Sequence, residues 1–172
     1  MYGDDSDNDT MGLCPLGCGC EDEIKFHYMT CIDQPGYSQV IRETNSLEQY
    51  LTTRNTHPDI KAILVRSIRS YLIGTTPTFN WITNNPIQDT SIHKAFDDQC
   101  AIGWKNFFIG HISSQWKLAQ DKWYTELSSK GFKLPRHQTS QIWATNLCRL
   151  TMFFALNRWQ IRNEAFHDKR TK

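Results

Sequence analysis

Apolar side chains recur at steps of three and four residues along most of this 172-residue chain, a spacing that places them on one face of an α-helix. One such pattern begins after Pro58, which suits the first position of a helix, and continues to Gly74, which suits the end of one. A second pattern runs from Ile112 to Gly131. The apolar positions are Ile60, Ile63, Leu64, Ile68, Tyr71 and Leu72 in the first segment and Ile112, Trp116, Ala119, Trp123 and Leu127 in the second. Both segments are predicted to be amphipathic helices that pack on a core.

Start and stop signals predict two further helices. Ser46 and the glutamine three residues later have the form of a capping box, which would open a short helix from Leu47 to about Arg54. A helical pattern resumes at Ser91, and Gly103 is expected to break or bend it. The stretch GTTPTFNWITNNPIQDTS, residues 74–91, is rich in Thr, Asn and Pro, which indicates a loop.

The last segment is the most apolar and is predicted to form a long helix from about Gln138 to His167. Its apolar residues are Ile142, Trp143, Leu147, Leu150, Phe153, Phe154, Trp159 and Phe166. No segment alternates apolar and polar residues in the way that a half-buried strand does. The sequence therefore predicts a mainly α fold, with a bundle of about five helices in residues 36–172.

Composition limits the class of protein. A hydrophobic share of 39% is enough for one core, and the length favours one domain with a small appendage. Residues 1–12 are rich in Asp and are predicted to be a disordered acidic lead without a secretory signal. The longest mostly apolar run, Leu150 to Leu156, is far shorter than the roughly 20 residues that cross a bilayer. An intracellular, reducing compartment is therefore expected, where metal binding is favoured over disulfides for the cysteines.

Charge is distributed unevenly along the chain. Residues 1–100 contain 7 Lys and Arg against 14 Asp and Glu, whereas residues 101–172 contain 12 against 4. A basic half of this kind is typical of surfaces that contact phosphate backbones or acidic proteins. The alternative is a helical face that is only solvated.

Four of the six cysteines and one histidine lie close together near the N-terminus. Cys14 and Cys18 are separated by a turn that contains Pro and Gly, and His27 and Cys31 lie four residues apart, which puts them on the same side of a helical turn. Zinc is typically held by four thiolate or imidazole ligands that arrive in two such pairs. These four residues are therefore the predicted ligands of a structural zinc ion.

The second ligand is left open, because Cys20 can substitute for Cys18; Cys18 is favoured. Residues 13–35 are accordingly predicted to form a small zinc-binding knuckle. A closed set of four protein ligands leaves no coordination position for water or substrate, which indicates a structural rather than a catalytic site. The alternative is a group of ordinary free cysteines without a metal.

The stretch CPLGCGCEDEIKFHYMTC resembles the Cys/His region that follows the polymerase domain in reverse transcriptases of non-LTR (LINE-type) retrotransposons. That region reads C-P-x-C, an acidic spacer, and H-x3-C or H-x4-C. Near the other end, residues 159–166 are similar to the W-x2-R-N-x2-F stretch that closes the helical region behind the cluster. One departure is that three residues, rather than two, separate the first cysteine pair, which is what leaves Cys18 and Cys20 as alternatives.

The resemblance implies a fragment or remnant of a retroelement protein without its polymerase and ribonuclease H domains. It further implies a zinc-binding, nucleic-acid-associated tail that binds RNA or DNA. The alternative is a structural or protein-interaction remnant in which zinc is architectural and no nucleic acid is bound. No hydrolase triad, phosphate loop or dinucleotide signature is visible in the sequence, so a non-enzymatic protein is expected.

Basic residues near the C-terminus are the candidates for phosphate contacts, since Arg makes bidentate contacts to phosphate oxygens. They are Arg149, Arg158, Arg162, Lys169, Arg170 and Lys172. A structural role for Arg162 within the helix is the alternative. Among the tryptophans, Trp116, Trp123, Trp143 and Trp159 fall on apolar stripes and are predicted to be core residues, which leaves Trp81 and Trp104 as candidates for base stacking.

Overall fold

The computed structural model of the chain describes residues 14, 16, 18, 27–31, 36–79 and 89–170. This part contains no strand and seven helices, five of them sizeable, so the mainly α class is confirmed. The helices are α1 (His27–Thr30), α2 (Gly36–Thr53), α3 (Pro58–Leu72), α4 (Thr90–Ile102), α5 (Trp104–Phe107), α6 (Ser114–Ser129) and α7 (Ser140–Arg170). The predictions outside the described residues are those for the acidic lead, Cys20, Trp81 and Lys172.

The helices that carry clear local signals begin and end where the sequence predicts. Pro58 is the first residue of α3, and the amide of Asp59 donates to Nδ1 of His57, which precedes the helix, over 3.1 Å. The hydroxyl of Ser113 caps α6 by accepting from the amide of Gln115 at 3.1 Å. Gly131, just beyond α6, has a φ of 84°, a conformation that costs glycine little.

The start predicted for α2 is wrong, because this helix begins at Gly36 rather than at Leu47. Ser46 does not cap a helix; its hydroxyl donates to the carbonyl of Arg42 one turn earlier, over 2.9 Å. The first half of α2 does have a buried face, but part of that face is polar, since Glu43 and Thr44 are buried beside Val40. A pattern that counts only apolar residues does not register such a face.

The core lies between the α2 and α3 pair on one side and α4, α6 and α7 on the other. Trp143 of α7 joins the two sides: its Nε1 donates to Oγ1 of Thr56 at 2.9 Å, and its carbonyl accepts from the hydroxyl of Tyr50 at 2.7 Å. Burying a large apolar side chain of this kind stabilises a fold by about 1.5–3 kcal/mol. The largest fully buried side chains include Trp116, Trp143, Phe107, Phe108, Leu47, Leu51, Ile60 and Ile63.

The burial predicted for two tryptophans is reversed. Trp159, predicted to be a core residue, has an exposed fraction of 47%, whereas Trp104, predicted to be available for stacking, is only 6% exposed and packs beside Phe96 and Phe107. Phe153 of α7 is also exposed rather than buried. The reason is that α7 carries apolar residues on more than one face, and spacing alone does not say which face the other helices cover.

No helix among the described residues combines the length and the apolar character needed to cross a membrane.

Candidate metal centre

Four side chains near the N-terminus bring their donor atoms together. The sulfur atoms of Cys14, Cys18 and Cys31 and a ring nitrogen of His27 all lie within 4.8 Å of one another. Two of these distances are 3.9 Å, between the sulfur atoms of Cys14 and Cys31, and 3.1 Å, between the Cys18 sulfur and Nε2 of His27. These are the four residues that the spacing in the sequence predicts, so the cluster itself is confirmed as a group that can hold a metal ion.

The separations can be compared with those of a metal-centred tetrahedron. Around one zinc ion, bond lengths of about 2.3 Å to sulfur and about 2.0 Å to nitrogen place two sulfur atoms about 3.8 Å apart and a sulfur and a nitrogen about 3.5 Å apart. The distance between the sulfur atoms of Cys14 and Cys31 matches this within 0.1 Å. Around one ion, the widest separation of 4.8 Å would close by about 1 Å, and the 3.1 Å between the Cys18 sulfur and Nε2 of His27 would open by about 0.4 Å.

Local structure explains how the ligands meet. His27 opens the single helical turn α1 and Cys31 follows its last residue, so both point to the same side of that turn. Cys14 and Cys18 lie outside the helices. Cys14 and Cys31 are buried, while Cys18 and His27 are partly exposed. The cluster therefore has an inner pair of thiols and an outer pair of ligands nearer to solvent.

Burial also affects the acidity of one of the two inner thiols. Desolvation raises the pKa of the Cys14 thiol, and the neighbouring Cys18 acts in the same direction. A buried thiol of this kind is uncharged at neutral pH unless a cation or a donor offsets the cost of the thiolate. None of the described cysteines forms a disulfide.

A buried ion pair anchors α1 to the rest of the domain. Arg158 of α7 donates through Nη1 to the backbone carbonyl of Met29 at 2.7 Å, and through Nε to the Glu43 carboxylate at 2.9 Å. The side chains of Arg158 and Glu43 are only 3% and 2% exposed. Because Met29 lies between the ligands His27 and Cys31, this arginine holds the metal-binding turn against α7.

The environment of Glu43 is unusual for a carboxylate. Burial raises the pKa of Glu43, while Arg158 and the amide of Gln39, which donates to the other carboxylate oxygen at 3.0 Å, act in the opposite direction. Arg158 and Glu43 are 115 residues apart in the chain. No local pattern in the sequence indicates this pairing, and it is the main feature of the site that sequence reasoning misses.

The structure describes the side chains of three predicted phosphate-binding residues, Arg149, Arg158 and Arg162, and does not bring these three to one face. Arg158 is buried in the ion pair with Glu43, so its place on an exposed basic face is wrong. Arg149 is exposed and Arg162 is partly exposed, but thirteen residues separate them on α7, which puts them about 140° apart around the helix. Lys169 and Arg170 lie in the last turn of α7.

Comparison of the chain with protein-family models, curated proteins and solved structures gives no match.

Proposed function

We propose that Cys14, Cys18, His27 and Cys31 bind one zinc ion and that this ion is structural. Three thiolates and one imidazole form a donor set that is common in structural zinc sites. Soft sulfur ligands also disfavour magnesium and calcium, which prefer oxygen. The observation that supports this proposal is the convergence of the four donor atoms within 4.8 Å, on residues spaced as two pairs.

A structural role fits better than catalysis. With four protein ligands the coordination sphere of zinc is complete, so no position is left for an activated water molecule. Burial of Cys14 and Cys31 restricts access of a substrate to the ion. The ion would fix the segment around Cys14 and Cys18 to α1, which in turn packs on α3 and α7. The proposed function of this end of the chain is therefore to stabilise the domain, without enzymatic activity.

Metal content tests the ligand set directly. Native mass spectrometry of the purified protein is expected to find one zinc ion per chain. Cys18→Ser is expected to weaken zinc binding by at least about tenfold, because it removes one of four bonds, whereas Cys20→Ser leaves it unchanged. Cys100→Ser, at an exposed cysteine of α4, serves as the matched control. Absence of stoichiometric zinc in the unsubstituted protein contradicts the proposal, and the reverse result for Cys18 and Cys20 reassigns the second ligand.

A second candidate function is association with nucleic acid, as a tail of retroelement reverse transcriptase origin. Its support is the excess of Lys and Arg in residues 101–172, which includes Arg162, Lys169 and Arg170 in the last part of the α7 sequence. Arg149 lies about 140° around α7 from Arg162. The proposed nucleic-acid-binding residues are therefore limited to Arg162, Lys169, Arg170 and Lys172. The alternative remains a structural or protein-interaction domain that binds no nucleic acid.

Salt dependence of binding tests this second function. The double variant Arg162→Ala/Arg170→Ala is expected to weaken binding to single-stranded RNA and to reduce the slope of log Kd against log salt by about 0.7 for each lost phosphate contact. For duplex DNA, the slope is expected to fall by about 0.9 for each lost phosphate contact. Lys94→Ala, at an exposed residue of α4, is expected to change neither quantity. If gel-shift assays find no binding to either nucleic acid at low salt, this function is excluded.

A further inference from the structure

The exposed face of α7 carries a contiguous apolar surface. Four large side chains on it are about half exposed: Met152 at 50%, Phe153 at 57%, Leu156 at 46% and Trp159 at 47%. Their spacing places them within about 120° around the helix, with Leu156 in the middle. We refer to these four residues as the α7 patch.

The α7 patch differs from the other exposed apolar residues of the described chain. Ile109, Leu118 and Phe132 are exposed outside α7, and Ile142 of α7 lies almost three turns before Met152, so none of them extends the stripe. The opposite face of α7 is covered, because Trp143, Leu147 and Phe154 are buried in the core. A helix that is apolar on both faces is normally covered on both. The α7 patch therefore has the composition of a helix-packing surface.

We infer that the α7 patch packs antiparallel against the same patch of a second copy of this chain, with the two-fold axis passing next to Leu156. Phe153 precedes Leu156 by three residues and Trp159 follows it by three. At about 1.5 Å per residue, each ring lies about 4.5 Å from the axis along the helix. A two-fold axis keeps each side chain on its own side of the contact, so an antiparallel arrangement sets Trp159 of one copy beside Met152, four residues before Leu156, of the other, twice.

Charge complementarity supports a second copy of this chain as the partner that covers the α7 patch. Arg149 lies seven residues before Leu156 and Glu164 lies eight residues after it, and both are exposed. The antiparallel arrangement places Arg149 of one copy opposite Glu164 of the other, which gives two equivalent ion pairs at the ends of the apolar contact. A parallel arrangement would place like charges opposite each other. The surface is therefore complementary to itself in one orientation.

The oligomeric state tests this inference. The zinc-loaded protein is expected to be a dimer in light scattering at about 100 μM, with a dissociation constant in the micromolar range or below. Leu156→Glu puts like charges on the axis and is expected to raise that constant at least about tenfold. Leu118→Glu, at an equally exposed leucine of α6, is the matched control and should remain dimeric. A protein that is monomeric at every concentration overturns the inference and points to a different protein as the occupant of the patch.

Two further variants test the orientation. Arg149→Glu is expected to weaken the dimer about tenfold, and the exchange Arg149→Glu/Glu164→Arg should restore it to within about threefold of the starting value, because both ion pairs are re-formed with reversed sign. If the exchange does not restore the dimer, the antiparallel register is wrong.

Cross-linking tests the position of the axis. With Leu156→Cys, mild oxidation by diamide is expected to form a disulfide-linked dimer, because a residue at a two-fold axis approaches its own copy. Leu118→Cys should cross-link much more slowly. Equal rates for the two variants overturn the inference.

Discussion

Replacing Arg158 with methionine is expected to lower the free energy of unfolding by about 3–5 kcal/mol, because it leaves the buried carboxylate of Glu43 without its cation. Both side chains are almost completely buried, so water cannot replace the lost partner. The substitution also removes the hydrogen bond to the carbonyl of Met29, between two metal ligands. Zinc affinity is therefore expected to fall by about 10–100-fold, as when other groups that position metal ligands are removed. Denaturant unfolding and a zinc competition assay measure the two effects.

The loss of unfolding free energy in Arg158→Met is expected to depend on pH. Burial raises the pKa of Glu43 above its ordinary value of 4.5 in the folded protein, and removing Arg158 raises it further. A raised carboxyl pKa means that the folded state binds more protons than the unfolded state. The stability that comes from protonated Glu43 is therefore fully present below the unfolded pKa and is lost as pH rises through the folded pKa. The stability deficit of Arg158→Met should therefore be largest near neutral pH and should shrink as pH falls toward 4.5.

Two controls separate the buried charge from other effects. The double variant Glu43→Leu/Arg158→Met removes both charges and is expected to recover most of the lost stability, because a buried pair often contributes little net free energy once desolvation is counted. Nη2 of Arg158 is itself buried without a hydrogen-bond partner among the described residues, which adds to that desolvation cost. Arg136→Met changes an exposed arginine in the loop before α7 and should cost less than about 0.5 kcal/mol. If Arg158→Met is no more harmful than Arg136→Met, the ion pair does not anchor α1.

The features that the sequence predicts correctly are those that neighbouring residues determine. Pro58 starts α3 and Gly131 follows α6, because the conformations of Pro and Gly depend on the residue itself. The four clustered residues Cys14, Cys18, His27 and Cys31 can also be predicted from the sequence, because the two pairs lie close together in the chain and their spacing is typical of a metal site. These signals do not depend on the other helices, whereas the capping box at Ser46, which is also local, does not start a helix, because the first half of α2 is held by its own buried face.

The features that the sequence does not predict depend on contacts between distant parts of the chain. Burial of Arg158 requires Glu43, and neither residue stands out in its own segment. The exposure of Trp159 depends on which side of α7 the other helices cover, which spacing along α7 does not contain. Trp104 is buried by Phe96 of the preceding helix, across the break at Gly103. In each case the missing information is the arrangement of the helices relative to one another.

Cys31→Ser is expected to abolish stoichiometric zinc binding and to unfold the metal-binding turn while α2 to α7 stay folded. In small zinc-binding peptides, bound zinc supplies about 10–16 kcal/mol, which is folding free energy for a segment with little core of its own. A turn as short as α1 is not stable alone in water. Hydrogen exchange in residues 27–31 should therefore accelerate at least about 100-fold, whereas far-UV circular dichroism should change little, because the long helices dominate it.

The same result is expected when a strong chelator removes zinc from the unsubstituted protein. Cys148→Ser, at a partly buried cysteine of α7 outside the cluster, is the matched control and should retain zinc and the protection of residues 27–31. Arg158 is not a candidate metal ligand and can still donate to the carbonyl of Met29 after zinc is removed, so any residual protection measures how much of the anchoring comes from that arginine rather than from the ion. Combining Cys31→Ser with Arg158→Met separates the contribution of zinc from that of the arginine. If zinc alone fixes the turn, amide hydrogens of residues 27–31 exchange as fast in the single variant Cys31→Ser as in the double variant. Unchanged protection after complete removal of zinc would mean that packing against α3 and α7 is sufficient and that the ion is not structural.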